Sequence, residues 1–162
     1  MTSTRAGELI EALRLAAHPE GGHYAQVFRS ASTVTPDDGR GTRRGLTTIY
    51  FLLTEGETSR WHRVRSDEVW HFYEGAPLEL LHLSADLASL TALRLGPLTD
   101  TQAPTHTIPA GDWQAARSTG PYTLVGCTVG PGFEFDDFTL LAEDAGTAAR
   151  VRALWPETHA LI

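Results

Sequence analysis

The sequence predicts an all-β domain, an antiparallel sandwich or barrel, with one helix before the strands and a short helix after them. Many short runs of β-type residues are separated by turn residues, and no helical segment lies between them. A chain of 162 residues with 41% hydrophobic content is long enough for one sizeable core and too short for two ordinary domains. We therefore expect residues 1–162 to form a single domain.

The helices come from apolar spacing and from stop signals. Leu9, Ile10, Leu13 and Ala16 recur at helical intervals, which predicts a helix over residues 5–16 with Ser3 or Thr4 as its N-cap. A second helix is predicted over residues 147–154, because Pro156 stops it.

The strands follow from β-type runs bounded by Gly, Pro and Asp. In the first half of the chain they cover residues 24–29, 46–53, 60–64, 69–73 and 78–83. In the second half they cover residues 105–108, 113–116, 122–129 and 134–141. Residues 34–44, rich in Asp, Gly, Thr and Arg, are typical of a mobile loop.

Composition excludes several classes of function. The formal net charge is −7 and the 13 basic residues are scattered, so we do not expect a nucleic-acid partner. The longest apolar run is far shorter than the roughly 20 residues that span a bilayer, and the N-terminus lacks the apolar core of a signal peptide. Cys127 is the only cysteine, which excludes an internal disulfide and fits a reducing compartment. We expect a cytoplasmic protein without a membrane partner.

Side-chain alternation brings two chemically useful residues to one face. Successive side chains of a strand point to opposite faces, and the charge on Arg63 favours an inward position for His62 and Val64. By the same rule Glu68 faces inward on the next strand, and the short turn at residues 65–67 would bring it back near His62.

This pair admits three interpretations from the residues alone. His62 could act as a general base whose tautomer Glu68 fixes. The two could instead supply ligands to a divalent transition metal. They could also be a buried polar pair without chemistry.

Aromatic and polar residues near these strands are candidate contacts for a ligand. Trp70 and Phe72 share the face of Glu68, and with Phe51 they would line a cavity suited to a flat or ring-shaped molecule. Arg29 could meet an anionic group. A tyrosine hydroxyl could also enter the cavity; the candidates are Tyr24, Tyr50 and Tyr122.

Two blocks of this sequence resemble those of cupins. The first reads His62-x-Val64, three residues, Glu68, six residues and Gly75; the second reads Pro109-Ala-Gly111 followed by Asp, Trp and Gln114. Cupins usually carry histidines where Val64 and Gln114 stand. The resemblance therefore implies at best an open three-ligand metal site formed by His62, Glu68 and Gln114.

The chain is more closely similar to the cupin subfamily DUF985, also called Cupin 5. The matching stretches are residues 18–22, 29–30, 48–53, 59–75, 109–113 and 124–133, with Asp137 and Phe138. The resemblance implies a jelly-roll barrel, the cupin double-stranded β-helix, of the kind found in deoxysugar epimerases and often assembled as a homodimer.

These observations lead to three hypotheses. The first is a cupin that binds a small organic molecule and isomerises or epimerises it, with His62 as proton-transfer base and Glu68 as its orienting partner. The second is a metal-dependent enzyme of dioxygenase or lyase type that uses His62, Glu68 and Gln114. The third is a ligand-binding barrel without catalysis.

Overall fold

A computed structural model describes residues 4–162. The chain opens with helix α1 (Arg5–Ala12), where the Thr4 side chain accepts a hydrogen bond from the Gly7 N–H at 3.2 Å. The helix ends earlier than its apolar spacing predicts, because Arg14 adopts a positive φ of 53° and turns the chain into a strand.

Short strands make up most of the chain. In chain order they are β1 (Ala16–Ala17), β2 (His23–Arg29), β3 (Thr33–Val34), β4 (Arg43–Arg44), β5 (Thr47–Thr54), β6 (Thr58–Val64), β7 (Asp67–Gly75), β8 (Leu78–Leu83), β9 (Leu90–Leu95), β10 (Thr105–Ile108), β11 (Trp113–Ser118), β12 (Tyr122–Gly130) and β13 (Phe138–Leu140). Helix α2 (Ala145–Leu154) and a 3₁₀ helix (Pro156–Leu161) close the described chain.

Two antiparallel sheets face each other and form a cupin-like barrel. One has the strand order β1-β2-β5-β12-β7-β10, and the other has the order β13-β6-β11-β8-β9. Both sheets contribute to the core between them, which includes Phe51, Trp70, Leu80 and Val125. The predicted all-β fold with a helix near each end is confirmed. None of the helices among residues 4–162 has the length and apolar character needed to cross a bilayer.

The short turn between β6 and β7 does not pair these two strands with each other. β6 pairs with β11 and β13, whereas β7 pairs with β10 and β12 in the opposite sheet. The turn at residues 65–66 therefore crosses from one wall of the barrel to the other. As a result, His62 and Glu68 approach the interior from opposite walls.

The segment predicted as a mobile loop is held by its arginines. β3 and β4 pair within it, and the Arg43 guanidinium donates to both carboxylate oxygens of Asp137 at 2.8 and 2.9 Å. Arg40 adds bonds to Asp137 at 3.3 Å and to the Ser66 hydroxyl at 2.8 Å. We call Arg40, Arg43 and Asp137 the Asp137 clasp. It ties this loop to the segment just before β13.

Candidate functional site

A cavity of about 210 Å³ opens at one end of the barrel. Its polar wall carries His62 from one sheet and Glu68 from the other, joined by Glu20 from the loop before β2. Its apolar wall is formed largely by three rings, those of Phe133, Phe135 and Phe138. The cavity thus combines titratable groups with an aromatic surface.

His62 is buried and both of its ring nitrogens have partners. Nδ1 lies 2.7 Å from the Arg60 carbonyl oxygen, and Nε2 lies 2.9 Å from Oε2 of Glu20. A carbonyl only accepts, so Nδ1 carries a proton, and a further proton lies between Nε2 and the carboxylate. Burial by itself would lower the pKa of His62, but the charge of Glu20 and its hydrogen bond outweigh burial and raise the pKa to about 9. The two residues form an imidazolium–carboxylate pair.

Glu20 is held by the loop at residues 18–22, which we call the Glu20 loop. The Arg60 N–H donates to the Glu20 carbonyl at 2.8 Å, and the Arg60 guanidinium donates to the Pro19 carbonyl at 2.6 Å. Gly21 has φ of +111°, and a Cβ there would collide with the Thr58 carbonyl. Burial tends to raise the pKa of Glu20, but His62 pulls it below its ordinary value. The carboxylate in contact with His62 is therefore Glu20, whereas Glu68 was predicted as its orienting partner.

Glu68 faces the cavity from β7 and is fixed from behind by an amide. Gln114 donates its Nε2 hydrogen to Oε2 of Glu68 at 2.6 Å and accepts from the Trp70 indole at 2.8 Å. Burial raises the pKa of Glu68 to about 7 against the lowering effect of His62, and the charge of Glu20 acts in the same direction as burial. Glu68 is thus poised to exchange a proton near neutral pH.

His18 supplies a further polar group that the sequence reasoning did not assign. Its Nδ1 accepts the Glu20 N–H at 3.1 Å, so a neutral ring carries its proton on Nε2. Burial is the main cause that lowers the pKa of His18. The ring meets Tyr24 edge-on at 4.6 Å between centroids, and Phe138 stacks against His62 at 5.4 Å. His18 is an uncharged hydrogen-bonding group in the cavity wall.

The predicted metal ligands do not fit a metal site. Gln114 uses its only acceptor oxygen on Trp70, and its amide nitrogen has no lone pair to offer an ion. His62 has no free nitrogen, because Arg60 and Glu20 occupy both. Among residues 4–162, no group of three His, Cys, Asp or Glu residues is arranged to hold an ion.

The other predicted contact residues lie at different depths. Of the three tyrosines, Tyr24 lines the cavity, while Tyr50 meets Tyr73 at 6.0 Å and Tyr122 donates to Glu74 at 2.8 Å. Arg29 pairs with Glu134 at 3.0 Å on the surface. The remaining predicted contacts pack in the core beside the cavity rather than on its wall; they are Phe51, Trp70, Phe72 and, behind Glu68, Gln114.

The reason for this difference is depth along the strands. On β5, Thr47 and Ile49 line the cavity, and Phe51 on the same face is already packed in the core. On β7 the same change occurs between Glu68 and Trp70. Alternation predicted the inward face correctly, but it does not show where the cavity ends and the solid core begins.

A barrel of two antiparallel sheets with a buried polar cavity at one end defines a cupin-type jelly roll. Residues 7–141 match the family described as Cupin superfamily (DUF985). The chain belongs to this family, as its sequence blocks predicted.

Solved structures agree with this assignment. The chain is 32% identical to a hypothetical protein from Leishmania major, with a TM-score of 0.85 and coverage of 98% of this chain and 97% of that one. It is 34% identical to a protein from Shewanella oneidensis, with a TM-score of 0.82 and coverage of 98% and 95%. A dTDP sugar isomerase from Desulfovibrio desulfuricans shares the fold at 13% identity and a TM-score of 0.54, over 82% and 90% of the two chains. No curated protein sequence matches this chain.

Proposed function

We propose that the protein binds a small organic molecule in the barrel cavity and isomerises it by proton transfer next to a carbonyl group. One observation carries the proposal: His62 and Glu68 face the same small cavity from opposite sheets, and Glu20 holds the imidazole in a fixed orientation. Proton transfer by two positioned groups contributes typically ~10²–10⁴-fold to a rate.

The contacts support a role for each group. Glu68 takes the proton from the carbon beside the carbonyl, because its second oxygen is not used by Gln114 and its pKa of about 7 makes it a usable base at neutral pH. The C–H electron pair forms the enolate, and the His62 Nε2–H, which already bonds Glu20 at 2.9 Å, is shared between that carboxylate and the oxygen that becomes negative. In an α-hydroxy carbonyl compound, the hydroxyl proton then passes to the enolate oxygen, and Glu68 returns its proton to the former carbonyl carbon, which completes the isomerisation.

In this assignment His62 donates a proton, whereas the sequence favours His62 as a base that accepts one. As a base, His62 would need a free lone pair on Nε2, and Glu20 faces that nitrogen at 2.9 Å. His62 serves better as the proton-donating partner, and Glu20 is a positioning residue that keeps it protonated.

The test follows the exchange of carbon-bound hydrogen in D₂O. Protein is incubated with a panel of small uncharged ketones, aldoses, ketoses and lactones, and ¹H NMR records the loss of the signal beside the carbonyl. We expect Glu68→Gln and His62→Gln to slow this exchange by ~10²-fold or more. The matched control is His82→Gln, because His82 also contacts a carboxylate, Asp112 at 2.7 Å, but lies outside the cavity.

The outcomes separate the candidate functions. Exchange that persists at the full rate in correctly folded Glu68→Gln protein contradicts the proposed mechanism. A ligand that saturates the cavity without exchange or chemical change would instead identify a non-catalytic binding barrel.

A further inference from the structure

Among residues 4–162, the cavity wall offers no unpaired positive charge. The sequence contains no lysine, and none of the arginines in the described chain lines the cavity. The one cationic group in the wall, His62, is already neutralised by Glu20 at 2.9 Å. His18 accepts a backbone N–H at Nδ1 and is uncharged, so the remaining titratable carboxyl, Glu68, makes the wall neutral or negative.

Three arginines near the mouth are committed to acidic partners. Arg29 pairs with Glu134 at 3.0 Å, one residue before the Phe135 that lines the cavity. Arg43 and Arg40 both bind Asp137, and the side chain of Arg40 is only 4% exposed. An anionic ligand in the cavity would therefore find these three guanidinium groups already bound and would approach the carboxyl groups of Glu20 and Glu68 instead.

The apolar part of the wall includes three phenylalanines, and the space is small. Phe133, Phe135 and Phe138 meet each other edge-on at 5.0 to 6.0 Å between centroids. The cavity of about 210 Å³ lies below the ~300–1,000 Å³ of sites for drug-sized ligands. Such a space suits one substituted ring or a short chain.

We propose that the cavity selects an uncharged carbonyl or hydroxyl compound of this size, with its apolar side against the three phenylalanines, and rejects phosphates and carboxylates. The inference rests on the proposed function only for the position of the carbonyl, beside His62 and Glu68. Rejection follows from desolvation: an anion moved into this wall would lose its water and gain no cation in return.

The test compares matched probes at millimolar concentration. The uncharged probes are cyclohexanone and benzyl alcohol, and their anionic counterparts are cyclohexanecarboxylate and phenyl phosphate. Protein NMR follows the signals of His62 and of the three phenylalanines. We expect cavity shifts from the uncharged probes and at least ~10-fold weaker binding of the anions, which corresponds to about 1.4 kcal/mol.

A variant that should reverse the selectivity against anions provides a second test. Gln26 lines the cavity from the exposed end of β2, so Gln26→Arg adds a guanidinium at the mouth without replacing a proton-transfer group. We expect it to strengthen binding of the anionic probes by ~10-fold or more, whereas Gln102→Arg, outside the cavity, leaves binding unchanged.

Two results would overturn the inference. Either wild-type protein binds the anions as tightly as the uncharged probes, or no uncharged probe shifts the cavity signals. Catalysis is tested separately. Cyclohexanone that binds without exchange of the hydrogens beside its carbonyl contradicts the proposed isomerase but not the selectivity, whereas exchange confined to anionic substrates contradicts the selectivity but not the isomerase.

Discussion

The protonation of a single residue, Glu68, is linked to the stability of the protein. Its pKa is raised from the ordinary value of 4.5 to about 7, so the folded protein binds this proton more tightly than the unfolded chain does between those values. The Glu68 contribution to the free energy of unfolding should therefore fall as pH rises from about 4.5 to about 7. His62 acts at higher pH: its pKa is raised from 6.5 to about 9, and its contribution, complete below about 6.5, is lost as pH rises through about 9.

We predict that Glu68→Gln flattens the lower part of this profile and leaves the upper part in place. Glutamine fills the same space and does not titrate, so the Glu68 contribution is lost, whereas the His62 contribution remains. Urea unfolding at a series of pH values from 4.5 to 9.5 measures the effect.

Glu74→Gln is the control, because the pKa of Glu74 is shifted in the direction opposite to that of Glu68. Hydrogen bonds from Arg5 and Tyr122 lower the pKa of Glu74 to about 2, so its contribution is lost only as pH falls below 4.5. A Glu68→Gln profile parallel to the wild type over the whole range would contradict the burial of an ionisable carboxyl in the cavity.

At the scale of elements, the Asp137 clasp fixes a loop against the cavity mouth. The Asp137 side chain is only 1% exposed and binds two arginines, one of them through both carboxylate oxygens. We predict that Asp137→Asn destabilises the fold by roughly 3 kcal/mol, because it leaves guanidinium groups without their partner. Hydrogen exchange at residues 33–44 should become faster.

Asp136→Asn is the matched control for the clasp, because the neighbouring Asp136 is exposed. It should change the free energy of unfolding by at most about 0.5 kcal/mol. Equal effects of the two substitutions would show that the clasp does not hold the loop.

The elements also show how far sequence reasoning reaches. The β-type runs predicted β8 and β10 with their observed bounds, and side-chain alternation predicted that His62 and Glu68 face inward. Strand β9 (Leu90–Leu95) escaped prediction because it pairs only with β8 at a sheet edge and carries a mixed, partly exposed pattern. In the predicted strand at residues 134–141, residues 135–137 form a 3₁₀ turn instead.

Glu20 was missed for a different reason. It lies in a loop, where side-chain alternation gives no information. Its contact with His62 is a tertiary contact between residues that are 42 positions apart in the sequence. The available signal was its presence in the matching stretch at residues 18–22. Which sheet each strand joins is likewise a long-range property, so the crossing between β6 and β7 could not be read from a short turn.

At the scale of the whole molecule, strand β2 leaves part of one sheet edge open. On this side, the described chain supplies only β1, which pairs with His23 and Tyr24. Beyond them, Val27 and Phe28 are 48% and 54% exposed. Exposed apolar edge strands are commonly covered by another chain. We propose that this edge forms the contact of a homodimer.

Substitution of Phe28 by lysine should abolish the dimer, because a charge on an edge strand opposes pairing. Light scattering coupled to size-exclusion chromatography measures the mass. Leu98→Lys, at a residue 78% exposed elsewhere on the surface, should leave the mass unchanged. A wild-type mass of one chain, or a Phe28→Lys variant that still doubles it, would exclude this interface.

The Glu20 loop also sets an order of events during biosynthesis. Its residues leave the ribosome well before Arg60 and His62, yet their partners are those later residues. The imidazole can acquire its carboxylate only after β6 has emerged and the earlier loop has docked onto it. The contact between Glu20 and His62 in the cavity wall is therefore a late event, which requires both segments to be folded together.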